Sequence, residues 1–203
     1  MIDVGSILLF LGVLLVSASF HEMMHAYVAY RLGDDLAHSH GRISLNPLVH
    51  IDPFLTLILP AALLFLGLTP ILAAKPVPIN TSRIDGEEIG LAAVGIAGPL
   101  TNLVIAFLAG MVLKLTSLSG IANEIVELFV VVNVSLFVFN MLPIPPLDGS
   151  RLLYAVAPPS VQSVMRQFES FGLFGLIFIL MFALPFIAPI LDTVSTFILN
   201  IVV

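Results

Sequence analysis

Long stretches without a charged residue alternate with short polar segments along this chain. No Asp, Glu, Lys or Arg occurs in 4–20, 54–74, 89–113, 128–147 or 170–191. A membrane-spanning helix needs about 20 mostly apolar residues. The pattern therefore predicts a first helix over 4–31, spans over 89–113 and 121–142, and a span over 170–191. That last block is expected to break at Pro185 and Pro189, leaving a shorter apolar tail at 193–203. Residues 32–53 carry Gly33, Asp34, Asp35, Gly41, Asn46-Pro47 and Asp52-Pro53, and 75–88 read KPVPINTSRIDGEE. Both read as loops with short extended or β pieces. The fold class is thus an all-α polytopic membrane protein, a transmembrane helix bundle of about five to six apolar segments.

Parity bears on the block at 54–74. A full crossing there would put the end of the fourth span opposite the end of the first. It would also scatter the basic residues over both faces. A re-entrant segment, favoured by Pro60, Gly67 and Pro70, gathers 31–53, 75–88 and 148–169 on one face. Six of the seven Lys and Arg then lie there, with Lys114 opposite, and the positive-inside rule makes that face cytoplasmic.

Composition agrees. The chain is 59% hydrophobic and 10% charged, with mean hydropathy +1.14, where soluble domains carry about 25% charged residues. A pI near 5.1 and the lack of a basic patch argue against nucleic acid as a partner. The chain has no Cys, which excludes thiolate catalysis and Cys-type zinc sites. A cleavable signal peptide is also disfavoured: Asp3 and no Lys or Arg precede the apolar run.

Inside the first apolar block stands His21-Glu22-Met23-Met24-His25. Two His at i and i+4 share a helix face and can reach one metal, and the Glu beside the first can reach a metal-bound water. Ionisable residues at membrane depth are costly and mark function. Catalytic zinc takes three protein ligands and an open position. Asp148, ending the Pro-rich run Asn140 to Gly149, is the candidate third ligand; as an alternative it is the N-cap of a helix at 150–157. Zn²⁺ with two neutral His, Asp148 and Glu22 sums to zero charge, which a membrane holds far more cheaply than any member alone.

Blander roles suit the other polar residues. Asn140 could bond a neighbouring helix, and Gly98 and Asn102 suit close helix packing with an interhelical hydrogen bond. His38 and His40 read as wet loop residues, and His50 and Asp52 as fixing a turn. Arg31, Arg42, Arg83, Arg151 and Arg166 read as interfacial anchors.

The segments FHEMMH at 20–25, GRISLNPLVHIDP at 41–53, AKPVPIN at 74–80, AGPLTN at 97–102 and NMLPIPPLDG at 140–149 resemble those of the site-2 protease family. These are intramembrane zinc metalloproteases, peptidase family M50, here in the compact prokaryotic form without a PDZ or CBS domain. The resemblance implies one Zn²⁺ per chain held by His21, His25 and Asp148, with Glu22 as general base. It implies that Asn140 positions substrate backbone or the developing oxyanion, and that the loop around 38–50 is a re-entrant extended element beside the site. An unwound substrate would pair with an edge near Gly41–Leu45, which makes Gly41 and Ile43 substrate-binding candidates.

The expected protein is one membrane domain over 1–203, with a catalytic core at about 4–157 and accessory helices at about 168–203. Its expected activity is hydrolysis of peptide bonds in or beside transmembrane segments, in regulated proteolysis or in clearing signal-peptide remnants. The expected partners are transmembrane substrates and the lipid bilayer, with homo-oligomerisation left open. The expected location is the cell membrane, with the active site towards the cytoplasm. The competing class is a silent helix-binding pseudoprotease or a membrane zinc carrier, neither of which needs Glu22.

Overall fold

The computed structural model describes residues 4–52 and 75–203. The helices of these residues are α1 (Val4–Arg31), α2 (Leu36–Ser39), α3 (Glu87–Leu115), α4 (Ile121–Asn140), α5 (Gly149–Val156), α6 (Pro159–Ser170) and α7 (Gly172–Val202). Four of them are long and apolar enough to cross a membrane: α1, α3, α4 and the stretch Met181–Val202 of α7. The expected re-entrant segment at 54–74 lies outside the described residues.

α3 is central and packs against α1, α4, α5 and α7. Small residues allow that closeness. A Cβ on Gly95 would lie 2.9 Å from the Arg151 side chain, and one on Gly110 would lie 2.4 Å from Val202. Away from the histidines, Ala106, Val130, Val134, Val138 and Val202 form a buried cluster. A second cluster, Ala29, Ile84 and Val94, sits at the other end.

The expected break at Pro185 and Pro189 is not there, and α7 runs through both as one helix of 31 residues. A proline removes one bond to the carbonyl four residues back. Apolar surroundings offer that carbonyl no water as an alternative partner. The Thr193 hydroxyl adds a bond to the Pro189 carbonyl at 2.7 Å. The apolar tail is therefore the distal half of α7, and Lys114 Nζ donates to the Ile201 carbonyl at its end (3.3 Å).

The polar segments form a layer over the C-terminal end of α1 and the N-terminal end of α3. No β-strand occurs among the described residues. The layer instead holds 3-10 turns at Pro47–His50 and Thr81–Arg83, each capped by the preceding Asn side chain. Asp34 is fully buried and accepts from the amides of Asn80 (2.6 Å) and Leu36 (3.1 Å). The Asp85 amide donates to the Leu32 carbonyl (2.7 Å), and the Lys75 amide to the His50 carbonyl (2.8 Å).

Arg42 is not an interfacial anchor. It is 4% exposed and donates to the carbonyls of Val49, Lys75 and Pro76. Burial pushes its guanidinium down from the ordinary arginine value, against the pull of the Glu22 carboxylate. The fork of donors explains the choice of residue, since only Arg reaches several carbonyls at once. His50 fixes its turn as expected, donating from Nε2 to the Ser44 carbonyl at 2.8 Å.

Candidate metal centre

Ser17, His21 and His25 recur every four residues and make one polar stripe on a largely apolar α1. The stripe faces Val94, Gly98 and Asn102 of α3, and all six residues are buried. The two imidazoles meet edge to face, with centroids 4.6 Å apart. Their Nε2 atoms are 3.0 Å apart.

The turn after α4 brings in Asp148. Its Oδ2 lies 3.0 Å from His21 Nε2 and 3.2 Å from His25 Nε2. Asp148 does occupy the N-cap position of α5, but its side chain makes no capping bond there. It turns to the histidines instead. The tightness of the turn requires Gly149, because a Cβ there would lie 2.3 Å from the Met141 carbonyl oxygen. Burial acts to raise the Asp148 carboxyl, but the adjacent His25 and His21 rings, when they carry a proton in place of a metal, outweigh it. They hold the group well below the usual carboxylate range.

The protonation of the rings tests whether a metal fits. The His25 Nδ1 atom lies 2.7 Å from the Val94 carbonyl oxygen. A carbonyl only accepts, so Nδ1 carries the hydrogen and a neutral ring leaves Nε2 a lone pair. The His21 Nδ1 atom lies 2.5 Å from Asn102 Oδ1, with the same consequence. Three acceptors then converge at 3.0–3.2 Å with no donor among them. A tetrahedral zinc about 2.0–2.1 Å from each donor atom would hold those atoms about 3.3 Å apart. The donor set, two neutral imidazoles and a carboxylate, suits zinc.

Gly98 keeps the space clear. A Cβ on it would sit 2.3 Å from His25 Nε2 and 2.6 Å from His21 Nε2. Among the described residues, His21, His25 and Asp148 are the one group of His, Cys, Asp and Glu side chains that could hold a metal ion. His38 stacks on Tyr30 and His40 bonds the Leu36 carbonyl, so neither joins it.

Glu22 follows His21 on α1 and is half-buried. Asn140 ends α4, and its amide donates back to the Leu136 carbonyl at 3.0 Å. Gly41 turns the loop with φ of 67°, and Ile43 follows it half-buried. No hydrogen bond joins Asn140, Gly41 or Ile43 to the triad among the described residues. Sequence reasoning missed the residues that hold His21 from behind. Asn102 reads in sequence only as bridging helices, Asn133 has no assigned role, and Ser17 reads only as part of a weak cleavage site, Ser17-Ala18-Ser19. The one signal for them was polarity inside apolar spans.

Four helices long and apolar enough to span, with a His–His–Asp group between α1, α3 and the turn after α4, define a multi-pass membrane protein with a candidate metal centre. The description "Peptidase family M50" matches residues 114–183. "Putative zinc metalloprotease YwhC" of Bacillus subtilis is 37% identical over 181 residues, 85% of this chain and 78% of that protein. "Putative zinc metalloprotease Rip2" of Mycolicibacterium smegmatis is 32% identical over 179 residues, 83% of this chain and 65% of that one. The chain thus spans just under two thirds of the Rip2 length. No solved structure matches it. The chain belongs to peptidase family M50, the site-2 protease family of zinc metalloproteases. Zinc is its metal cofactor.

Proposed function

We propose that the chain is an intramembrane zinc endopeptidase that cuts peptide bonds in or next to transmembrane segments of other proteins. The observation that carries this is the convergence of His21 Nε2, His25 Nε2 and Asp148 Oδ2 beside Glu22, within a bundle of apolar helices. His21, His25 and Asp148 hold the zinc. Bound there, zinc supplies Lewis-acid activation of water and of the scissile carbonyl. Glu22 takes the proton from the attacking water and returns it to the leaving amine. Asn140 positions substrate backbone, and Gly41 and Ile43 offer an edge to the unwound substrate.

The active site faces the cytoplasm. The polar layer with Arg42, Lys75 and Arg83 lies at its end of the bundle, and with Arg31, Arg151 and Arg166 counted on the same face the positive-inside rule reads that end as cytoplasmic. The Lys75 amide donates to the His50 carbonyl at 2.8 Å, so the polar segments 32–52 and 75–86 lie together at that face.

The test is purified protein in detergent with a panel of transmembrane substrates, with and without chelator. Wild type should cleave, and both chelator and Glu22→Ala should abolish cleavage. If wild type and Glu22→Ala both bound zinc and neither cleaved, a helix-binding protein would replace the protease.

A further inference from the structure

A chain of amide hydrogen bonds runs from a backbone carbonyl on α4, through α3, to His21. Its direction can be read from one fixed point. Asn133 Nδ2 lies 2.8 Å from the Phe129 carbonyl oxygen, which can only accept, so that atom of the amide is the nitrogen. The same Nδ2 donates to Ser17 Oγ at 2.8 Å. Asn133 therefore presents its oxygen to Asn102, which must answer with its own Nδ2, at 2.8 Å. That nitrogen also points at the Ser17 carbonyl, 3.5 Å away. Asn102 is left presenting Oδ1 to His21 Nδ1. His21 must then protonate Nδ1 and keep the Nε2 lone pair free for the metal.

We infer that Asn133 and Asn102 are positioning residues that select the metal-binding tautomer of His21. His25 needs no such device, since the Val94 carbonyl fixes its ring directly. An amide can rotate and offer either end. Without Asn133, Asn102 could present its NH₂ to His21, which would move the ring hydrogen to Nε2 and block ligation. All three relay side chains are fully buried (Ser17, Asn102 and Asn133 at 0% exposure), so no water competes for the bonds. The helix that carries Asn133 also leads into the turn that delivers Asp148. Seating α4 therefore sets the tautomer of one ligand and supplies another, so that the centre assembles as a unit.

This rests on the zinc centre proposed above, and its test reads zinc binding without using proteolysis. Zinc affinity is measured by chelator competition on detergent-purified protein. Asn133→Leu should weaken binding about 10-fold or more, the usual effect of losing a group that orients a metal ligand. Ser135→Leu, an exposed change on the same helix, should not. Asn102→Asp should keep His21 on the Nδ1–H tautomer, because a carboxylate accepts from Nδ1 whichever way it rotates, although its second oxygen then meets Asn133 Oδ1 where an NH₂ stood. In that background, adding Asn133→Leu should cost nothing further.

Equal losses from Asn133→Leu in both backgrounds, or no loss in either, overturn the inference in favour of a packing role. Imidazole nitrogen spectra of the zinc-free protein give a readout that needs only the one variant. Asn133→Leu should leave His25 on the Nδ1–H tautomer and make His21 a mixture; an unchanged His21 refutes the relay. Wild type that bound no zinc would sink the metal centre and the relay together. Zinc binding without cleavage would sink the protease reading alone.

Discussion

His21 and His25 hold their Nε2 atoms 3.0 Å apart, while the Nδ1 atom of each faces an oxygen on α3. Two lone pairs at that distance, with the Asp148 carboxylate closing the triangle, repel unless a metal cation or a proton lies among them, and a metal satisfies all three at once. Removing zinc should therefore destabilise the protein as well as silence it. Thermal unfolding in detergent should shift upward with added zinc, by about 2.7 kcal/mol when free zinc is 100 times its Kd. His25→Ala should abolish the shift, and elemental analysis should find one zinc per chain in wild type only.

Glu22 is expected to matter for turnover and not for the metal. Glu22→Gln keeps the shape of the side chain but cannot take a proton. Single-turnover cleavage should fall by about 10²- to 10⁴-fold, the usual worth of a general base. Zinc content should match wild type. A variant that lost its zinc as well would assign Glu22 to the metal's coordination rather than to proton transfer.

The histidine spacing and the spans of α1, α3 and α4 were legible in the sequence because each follows from a local rule, whereas Asp148 stood open between ligand and N-cap until the resemblance implied the ligand role. Two His at i and i+4 share a helix face, and charge-free runs of span length are rare in soluble chains. The partners of Asn102 were not legible. An apolar helix has little periodicity to reveal which face meets its neighbour, so the pairing with Asn133, 31 residues away, emerges only from the packing of α3 on α4. Arg42 was misread for a similar reason. Arginine near a membrane interface usually points to water, and the carbonyls that bury this one lie 7, 33 and 34 residues along the chain. Pro185 and Pro189 misled because the breaking rule belongs to helices in water, and α7 is long and apolar enough over Met181–Val202 to cross a membrane instead.

Gly98 should be among the least replaceable residues. The methyl group of Gly98→Ala would fall 2.3 Å from His25 Nε2 and 2.6 Å from His21 Nε2. Neither ring can retreat while its other nitrogen is bonded to α3. Zinc affinity should drop by at least about 10-fold, as when a ligand loses its orientation. Gly12→Ala on α1, with nothing within 4 Å of the new methyl, should leave affinity unchanged. Titration against a fluorescent chelator distinguishes them.

Arg42 should act on the polar layer. Arg42→Leu removes three bonds to carbonyls in two segments and should cost about 2–3 kcal/mol. Arg42→Lys should rescue little of this, since one ammonium cannot replace a planar fork. Limited proteolysis should cut both variants faster within 42–52 and 75–86 than elsewhere. Unchanged cleavage in that layer would show that the guanidinium does not hold it together.

The side of the membrane can be read with single cysteines, because the chain has none of its own. α3 has 29 residues and is about 43 Å long at 1.5 Å per residue, more than the roughly 30 Å hydrocarbon core. Ser82 precedes it, in the layer that also holds Arg42, Lys75 and Arg83, and Ser117 follows it beside Lys114; both serines are exposed. The positive-inside rule places the Ser82 end in the cytoplasm. An impermeant maleimide applied to intact cells should label Ser117→Cys at once and Ser82→Cys only after permeabilisation. The reverse order would turn the active site to the outside. Labelling of both from one side would show that α3 does not cross.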